Sequence, residues 1–195
     1  MDAKTKNFIK ISKKFSKINL HLGCGKRNFP NFINIDSARY KHLDFCTSVD
    51  NLNFIPQNSC DYIYASHVLE YFDFESAKKI LNIWRKLLKK HAMLRISVPD
   101  LNSLIKVYNK TKDIKKIIGP MYGKINNNNS FIYHKFLYDF KTIFKLLKSV
   151  GFRKIKKYDW RKTFHSKFDD HSQAYFPHMD KKNGIQISLN IECIK

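Results

Sequence analysis

Ile18-Asn-Leu-His-Leu-Gly-Cys-Gly-Lys26, INLHLGCGK, is the stretch whose reading decides the fold. Ile18–Leu22 alternates apolar and polar residues into Gly23, the pattern of a strand that ends in a tight turn. Gly23 and Gly25 let a ligand approach the backbone closely. A dinucleotide fingerprint adds a third glycine, which permits tight helix–strand packing above a bound pyrophosphate. That position is Asn28. The turn therefore suits a ligand that needs close approach and carries no phosphates; taken alone, it is equally a plain structural turn.

Working outward, Phe32–Ile35 reads as a second strand ending at Asp36, and Leu43–Val49 as a weak third. Gln57-Asn-Ser is a turn before a buried strand over Asp61–Ser66. Asp73 then N-caps a helix whose apolar residues Ala77, Ile80, Leu81, Trp84, Leu87 and Leu88 fall at helical spacing. Lys89 and Lys90 suit the C-terminal end of its dipole. Met93–Val98 returns to strand, Pro99 ends it, and Leu101, Leu104, Ile105 and Tyr108 start another helix. Asn126–Ser130 is a loop. Asp139 caps a helix that Gly151 stops. Lys154–Tyr158 and Ile185–Ile191 read as the last strands. Such alternation predicts an α/β fold with a mostly parallel sheet covered on both faces. Ligands in such sheets bind at the carboxyl ends of the strands. Gly23–Gly25, Asp36, Asp50, Ser66–Glu70 and Pro99–Asp100 share that rim.

The 195 residues fit one domain, with 1–17 as a frayed basic lead-in, 18–100 as a cofactor-binding half and 101–195 as a substrate-side half. No apolar run approaches the roughly 20 residues that span a bilayer. The N-terminus lacks the apolar segment of a secretory signal, so a cytoplasmic location is expected. Cys24, Cys46, Cys60 and Cys193 match no zinc module and read as reduced thiols; no metal is expected. Lys and Arg number 37 against 16 Asp and Glu, a net charge of +21. Only six of the 37 are arginine, and the lysines are scattered, which reads as a solubilising lysine-rich composition. A nucleic-acid partner is possible on charge but not favoured.

An acid at the end of a second strand can accept both hydroxyls of a ribose, as Asp36 would. One after a third strand can accept from an adenine amino group, as Asp50 would. A glycine turn followed by two such acids describes a site for a nucleoside without phosphates, of which S-adenosylmethionine (SAM) is the common one. LHLGCGKRNFPNFINID (20–36), DNLNFIPQNSCDYIYASHVLEYF (50–72) and LLKKHAMLRISVPDL (87–101) resemble the class I SAM-dependent methyltransferases of the "type 11" group. The likeness extends more weakly through YHKFLYDF (133–140), DDHSQAYFPHMD (169–180) and ISLNIE (187–192). It implies a Rossmann-like, seven-stranded sheet in the order 3-2-1-4-5-7-6, its last strand antiparallel, with helices on both faces. It also implies that Leu22, Gly23, Cys24, Gly25, Asp36, Asp50, Leu52, Ser66 and His67 surround SAM.

Three departures from that pattern stand out. Ten residues separate Gly25 from Asp36, so the first crossover helix must shrink to about a turn. The His expected after Leu-Glu is Tyr71. The usual Lys-Pro-Gly-Gly before the fifth strand is Lys89-Lys-His-Ala92. Methyl transfer needs orientation, desolvation and, for an oxygen nucleophile, a base. Candidates are His67, Glu70 and His134, with Asp100 reading equally as a helix cap and Cys24 as an inert thiol. Asp169, Asp170, His171, His178 and Asp180 form a polar cluster on a substrate-side loop. Tyr62, Tyr64, Phe72 and Trp84 read as core. Ser66-His-Val stands where base N-methylases carry Asn-Pro-Pro-Tyr. The expectation is methylation of a small molecule or glycan, at oxygen; an RNA methyltransferase and a catalytically degenerate binding or scaffold protein are the alternatives. Oligomeric state is not readable.

Overall fold

The structure is a computed structural model that describes residues 1–127 and 130–195. Its strands are β1 (Asn19–Leu22), β2 (Ile33–Asp36), β3 (Phe45–Cys46), β4 (Cys60–Ser66), β5 (Leu88–Pro99), β6 (Ile125–Asn127), β7 (Ser130–Ile132), β8 (Arg153–Lys157), β9 (Tyr175–Phe176), β10 (Ile185–Gln186) and β11 (Ser188–Ile194). Its α-helices are α1 (Ala3–Ser12), α2 (Phe74–Leu87), α3 (Leu101–Thr111), α4 (Lys115–Tyr122) and α5 (Phe140–Val150). Seven strands form one sheet in the order β3-β2-β1-β4-β5-β11-β8, with β11 antiparallel to both neighbours. This is the 3-2-1-4-5-7-6 order that the resemblance implies.

Alternation along the central strands separates two faces. Leu20, Leu22, Ile33, Ile35, Ile63 and Ala65 enter the main core with Ala77, Ile80, Leu81 and Trp84 of α2, Ile143 and Leu147 of α5, and Phe8 of α1. Asp73 and Asp139 cap α2 and α5 by accepting from Ser76 N and Thr142 N, and left-handed Gly151 stops α5. The opposite face carries His21, Asn34, Tyr64 and Arg95. Phe29 stacks on His21 at 4.2 Å, and Phe164 and His165 close over Phe29, Phe32 and Tyr64. Arg95 pairs with Glu192 across β5 and β11 at 2.8 Å. α3 and α4 share a third cluster, Leu104, Val107 and Ile117, packed against the β9–β10 hairpin.

The differences from expectation are local. Residues 3–12 of the lead-in are helical, because Asp2 caps them and Phe8 is 1% exposed in the core. α2 stops at Leu87, so Lys89 and Lys90 belong to β5, where Lys89 reaches Asp61 at 2.7 Å. The last expected strand divides: Ile185–Gln186 pairs with β9, and the sheet strand starts at Ser188. The penultimate strand starts one residue earlier than expected, at Arg153. The expected 126–130 loop is flanked by a β6–β7 ladder; residues 128 and 129 of it lie outside the described residues.

Candidate functional site

The turn after β1 is held by the backbone of β2: Gly23 N and Cys24 N both donate to Ile35 O, at 2.8 and 3.2 Å. Both glycines are left-handed, at φ +64° and +56°, where a side chain is strained. A Cβ on Gly23 would lie 2.4 Å from Val68 Cγ2, so packing demands glycine there. A Cβ on Gly25 would meet nothing within 4 Å, so that backbone is open to a ligand. Gly25 N donates to Asp36 Oδ2 at 2.8 Å, and Ala38 N to Asp36 Oδ1 at 2.8 Å. The short crossover thus brings Asp36 beside Gly25 with no helix between them.

Asn34 explains how. Its amide donates to Asn28 Oδ1, Phe29 O and Phe32 O, and its carbonyl accepts from Phe29 N. One buried side chain therefore organises the whole loop. Asn28, standing where a third glycine was absent, is one of its acceptors. His21 Nδ1 also meets Asn34 Oδ1 at 3.1 Å. Burial pushes the His21 pKa down to about 3, so the ring is neutral and Nδ1 carries the proton for that contact.

A cavity of about 730 Å³ opens over this turn, within the range of small-molecule sites. Gly23, Cys24, Gly25, Asp36, Ser66, His67 and His134 of the expected set line it. Three do not. Leu22 and Leu52 are wholly buried in the main core. Asp50 is exposed and lies off the cavity; Ser48 and Val49 line the wall instead. The reason is that β3 ends at Cys46 and Trp84 Nε1 holds Val49 O at 2.9 Å, which fixes how the following chain turns. Phe72, expected in the core, is half-buried on the cavity wall. Tyr64 and Trp84 are core as expected, and Tyr62 is half-buried against the Phe29–Phe32–Tyr64 cluster.

His67 sits at φ +55° directly after β4. Its Nδ1 lies 3.1 Å from Glu70 Oε1 and its Nε2 2.9 Å from Ser188 Oγ. His134 reaches the same carboxylate from the segment after β7, with Nε2 at 3.9 Å. Glu70 is fully buried, and neither of its carboxylate oxygens makes a hydrogen bond among the described residues. His134 Nδ1 lies 3.1 Å from the Met121 carbonyl; a carbonyl only accepts, so Nδ1 holds the proton and Nε2 the lone pair. Burial lowers the His134 pKa, against the opposing pull of Glu70. Tyr71 packs edge-on to His134 at 4.7 Å and donates to Gly123 O at 3.0 Å. In place of the expected His, it buttresses the base candidate and the end of α4.

Ser66 Oγ is buried on the cavity wall and has no partner among the described residues. Cys24 is inert, because burial pushes its pKa up to about 12, with the Asp36 charge adding to that. Asp100 accepts from Asn102 N and Ser103 Oγ and so caps α3. In the 169–180 cluster, Asp170 is buried and accepts from Tyr64 Oη, Ser172 Oγ and Ser172 N. Asp180 accepts from Asn183 N, and His178 is exposed. Of that cluster, Asp170 and His171 reach the cavity. Sequence reasoning missed Ser48, Val49 and the α4 wall at Pro120 and Gly123. The one signal available for the last was the Gly-Pro and Gly-Lys breaks at 119–124.

No protein-family model matches this chain, and no curated protein matches its sequence. Solved structures do match it. A SAM-dependent methyltransferase from Archaeoglobus fulgidus is similar over 98% of this chain and 92% of its own, with a TM-score of 0.56 and 17% identity. A possible histamine N-methyltransferase from Thermotoga maritima is similar over 99% and 88%, at 0.57 and 14%. The 1,6-didemethyltoxoflavin-N1-methyltransferase of Burkholderia thailandensis, solved with 1,6-didemethyltoxoflavin and S-adenosylhomocysteine, is similar over 99% and 78%, at 0.54 and 11%. At such identities the likeness establishes the fold. This chain has the Rossmann-like fold of the class I SAM-dependent methyltransferases.

Proposed function

We propose that this protein is a SAM-dependent methyltransferase acting on a small-molecule or glycan acceptor, at oxygen. One observation carries the reading: the Gly25 amide and the Asp36 carboxylate meet on the wall of a cavity that continues to His67 and His134. Open space over Gly25 and the unpartnered Ser66 hydroxyl fit a bound nucleoside donor. Gly23, Gly25, Asp36 and Ser66 would hold SAM, with Ser48 and Val49 in the place first expected for Asp50. Bound there, SAM supplies a methyl group already activated on a sulfonium.

The chain's own residues then supply orientation and proton handling. His134 is neutral at neutral pH and keeps a lone pair on Nε2. It takes the proton of the acceptor hydroxyl, and the imidazolium so formed sits beside the Glu70 carboxylate. His67, engaged at both ring nitrogens, orients Glu70 from the other side. Pro120, Gly123 and Ile132 line the cavity beside His134 and would shield the acceptor from water.

Calorimetry with SAM and S-adenosylhomocysteine tests the reading. Both bind the wild type, and Asp36→Asn weakens both by roughly ten- to a hundredfold, the scale of a hydrogen bond to a charged group. Absence of binding by either ligand would sink it. Binding without methyl transfer to any acceptor of a broad panel would favour the scaffold reading.

A further inference from the structure

Exposed large apolar side chains are concentrated in one segment of the described chain. α4 buries Ile117 against α3. Its outward positions Ile114, Ile118 and Tyr122, spaced four apart, are 52%, 41% and 56% exposed. α3 adds exposed Ile105 and Tyr108, and the β6–β7 hairpin adds Ile125, Phe131 and the adjoining Tyr133. Outside this segment, the exposed large apolar residues described are Met1, Phe164 and Met179. A solvated surface has no use for four exposed isoleucines and four exposed aromatics in so short a span.

The charges of the same segment are one-sided. Residues 101–135 hold seven lysines and one acid, Asp113. The lysines at 106, 110, 112, 115, 116, 124 and 135 are all exposed. Lys124 Nζ lies 4.0 Å over the Phe131 ring, so cation and apolar surface are interleaved. An apolar stripe rimmed by lysines is the chemistry that seats a peripheral protein on anionic lipid, with apolar side chains at the acyl boundary and ammonium groups among the headgroups. Nucleic acid fits less well. No arginine lies between Arg95 and Arg153, and isoleucine offers a base or phosphate neither stacking nor hydrogen bonds.

We infer that the cap formed by α3, α4 and the β6–β7 hairpin docks on an anionic membrane surface. No described helix is long and apolar enough to cross a membrane, so the contact is peripheral. The inner side of the same cap, Pro120, Gly123, Lys124 and Ile132, lines the cavity. Docking therefore sets the cavity wall against the lipid surface, which favours an amphiphilic or lipid-linked acceptor. That consequence rests on the methyltransferase reading; the docking does not.

Vesicle co-sedimentation tests it, using the full chain with phosphatidylcholine–phosphatidylglycerol vesicles and with phosphatidylcholine alone. The mixed vesicles retain the protein at low salt, release it progressively as salt rises, and the neutral vesicles do not retain it. Ile118→Asp combined with Tyr122→Asp reduces binding about tenfold or more, with the melting temperature and SAM affinity unchanged because neither side chain lines the cavity. A second variant, Lys115→Glu with Lys116→Glu, weakens binding and flattens the salt dependence. No retention on anionic vesicles overturns the inference, as does equal retention of the apolar variant. RNA binding that the apolar variant leaves intact, without vesicle binding, overturns it in favour of a nucleic-acid surface. Vesicle binding by a protein that fails to bind SAM leaves the docking standing and sinks the methyltransferase reading.

Discussion

Glu70 is the residue whose environment is hardest to account for by stability alone. A buried carboxylate without hydrogen bonds carries a large desolvation cost. Two imidazoles, at 3.1 and 3.9 Å, are its compensation. The arrangement makes sense if the charge serves His134, whose burial would otherwise drive its pKa further down. Glu70→Gln removes that charge and keeps the shape. The His134 titration in the variant therefore moves to lower pH than in the wild type, read from the ring chemical shifts in NMR. An unmoved titration would show that Glu70 does not act on His134. The same scale shows how much of the site could be read beforehand. That Gly25, Asp36, Ser66 and His67 share one cavity was legible, because strand ends in an α/β sheet converge on one rim; His134 reaches it from the segment after β7. The place of Asp50 was not legible. Which way a residue faces four positions past a two-residue strand depends on the hydrogen bond from Trp84 to Val49, made across 35 positions of sequence.

Among the elements, α1 has the most to say about the limits of periodicity. Residues 3–12 fully bury one ring, Phe8, and lean half-buried Ile11 on the same core. Two apolar contacts among so many lysines give a weak period, so the segment reads as a frayed basic lead-in. Phe8 nonetheless lies within 6.1 and 6.2 Å of Phe45 and Phe54, ring centre to ring centre, and closes the core at the β3 edge. Phe8→Ala should cost about 3–5 kcal/mol, measured as a lowered urea midpoint with an unchanged slope. A cost below about 1 kcal/mol would show that α1 only rests on the fold. α2 and α5, by contrast, each present four or more buried positions at helical spacing behind an Asp cap, and Gly151 stops α5. They were readable almost to the residue. α4 was not read from the sequence; it carries Gly119 and Pro120, two poor helix formers, and Pro120 lies within the helix all the same.

For the molecule as a whole, the buried histidines tie stability to pH. His21 and His165 are 1% and 0% exposed, and burial pushes the pKa of each down to about 3. In the unfolded chain each titrates near the ordinary 6.5. Between those values the unfolded state takes up a proton that the folded state refuses. Each histidine therefore contributes stability above about pH 6.5 that is lost as pH falls toward 3, at up to about 1.4 kcal/mol per pH unit. The two together give a slope of up to roughly 3 kcal/mol per unit, before the carboxylates titrate. Raising the net charge above +21 in the same range adds self-repulsion in the same direction. His165 separates these effects. Its ring sits among Phe29, Tyr64, Tyr158 and Phe164, and neither nitrogen has a partner among the described residues. His165→Phe removes one proton from the slope and relieves an unsatisfied buried polar group, a gain of about 1–3 kcal/mol at pH 7. Urea unfolding at a series of pH values from 7 to 4 reads both quantities. The variant should start more stable and lose stability less steeply, while His21 and His134, both lowered by burial, keep their share of the slope. Parallel curves for the two proteins would mean that the charge on the surface, and not the buried imidazoles, sets the acid limit of the fold.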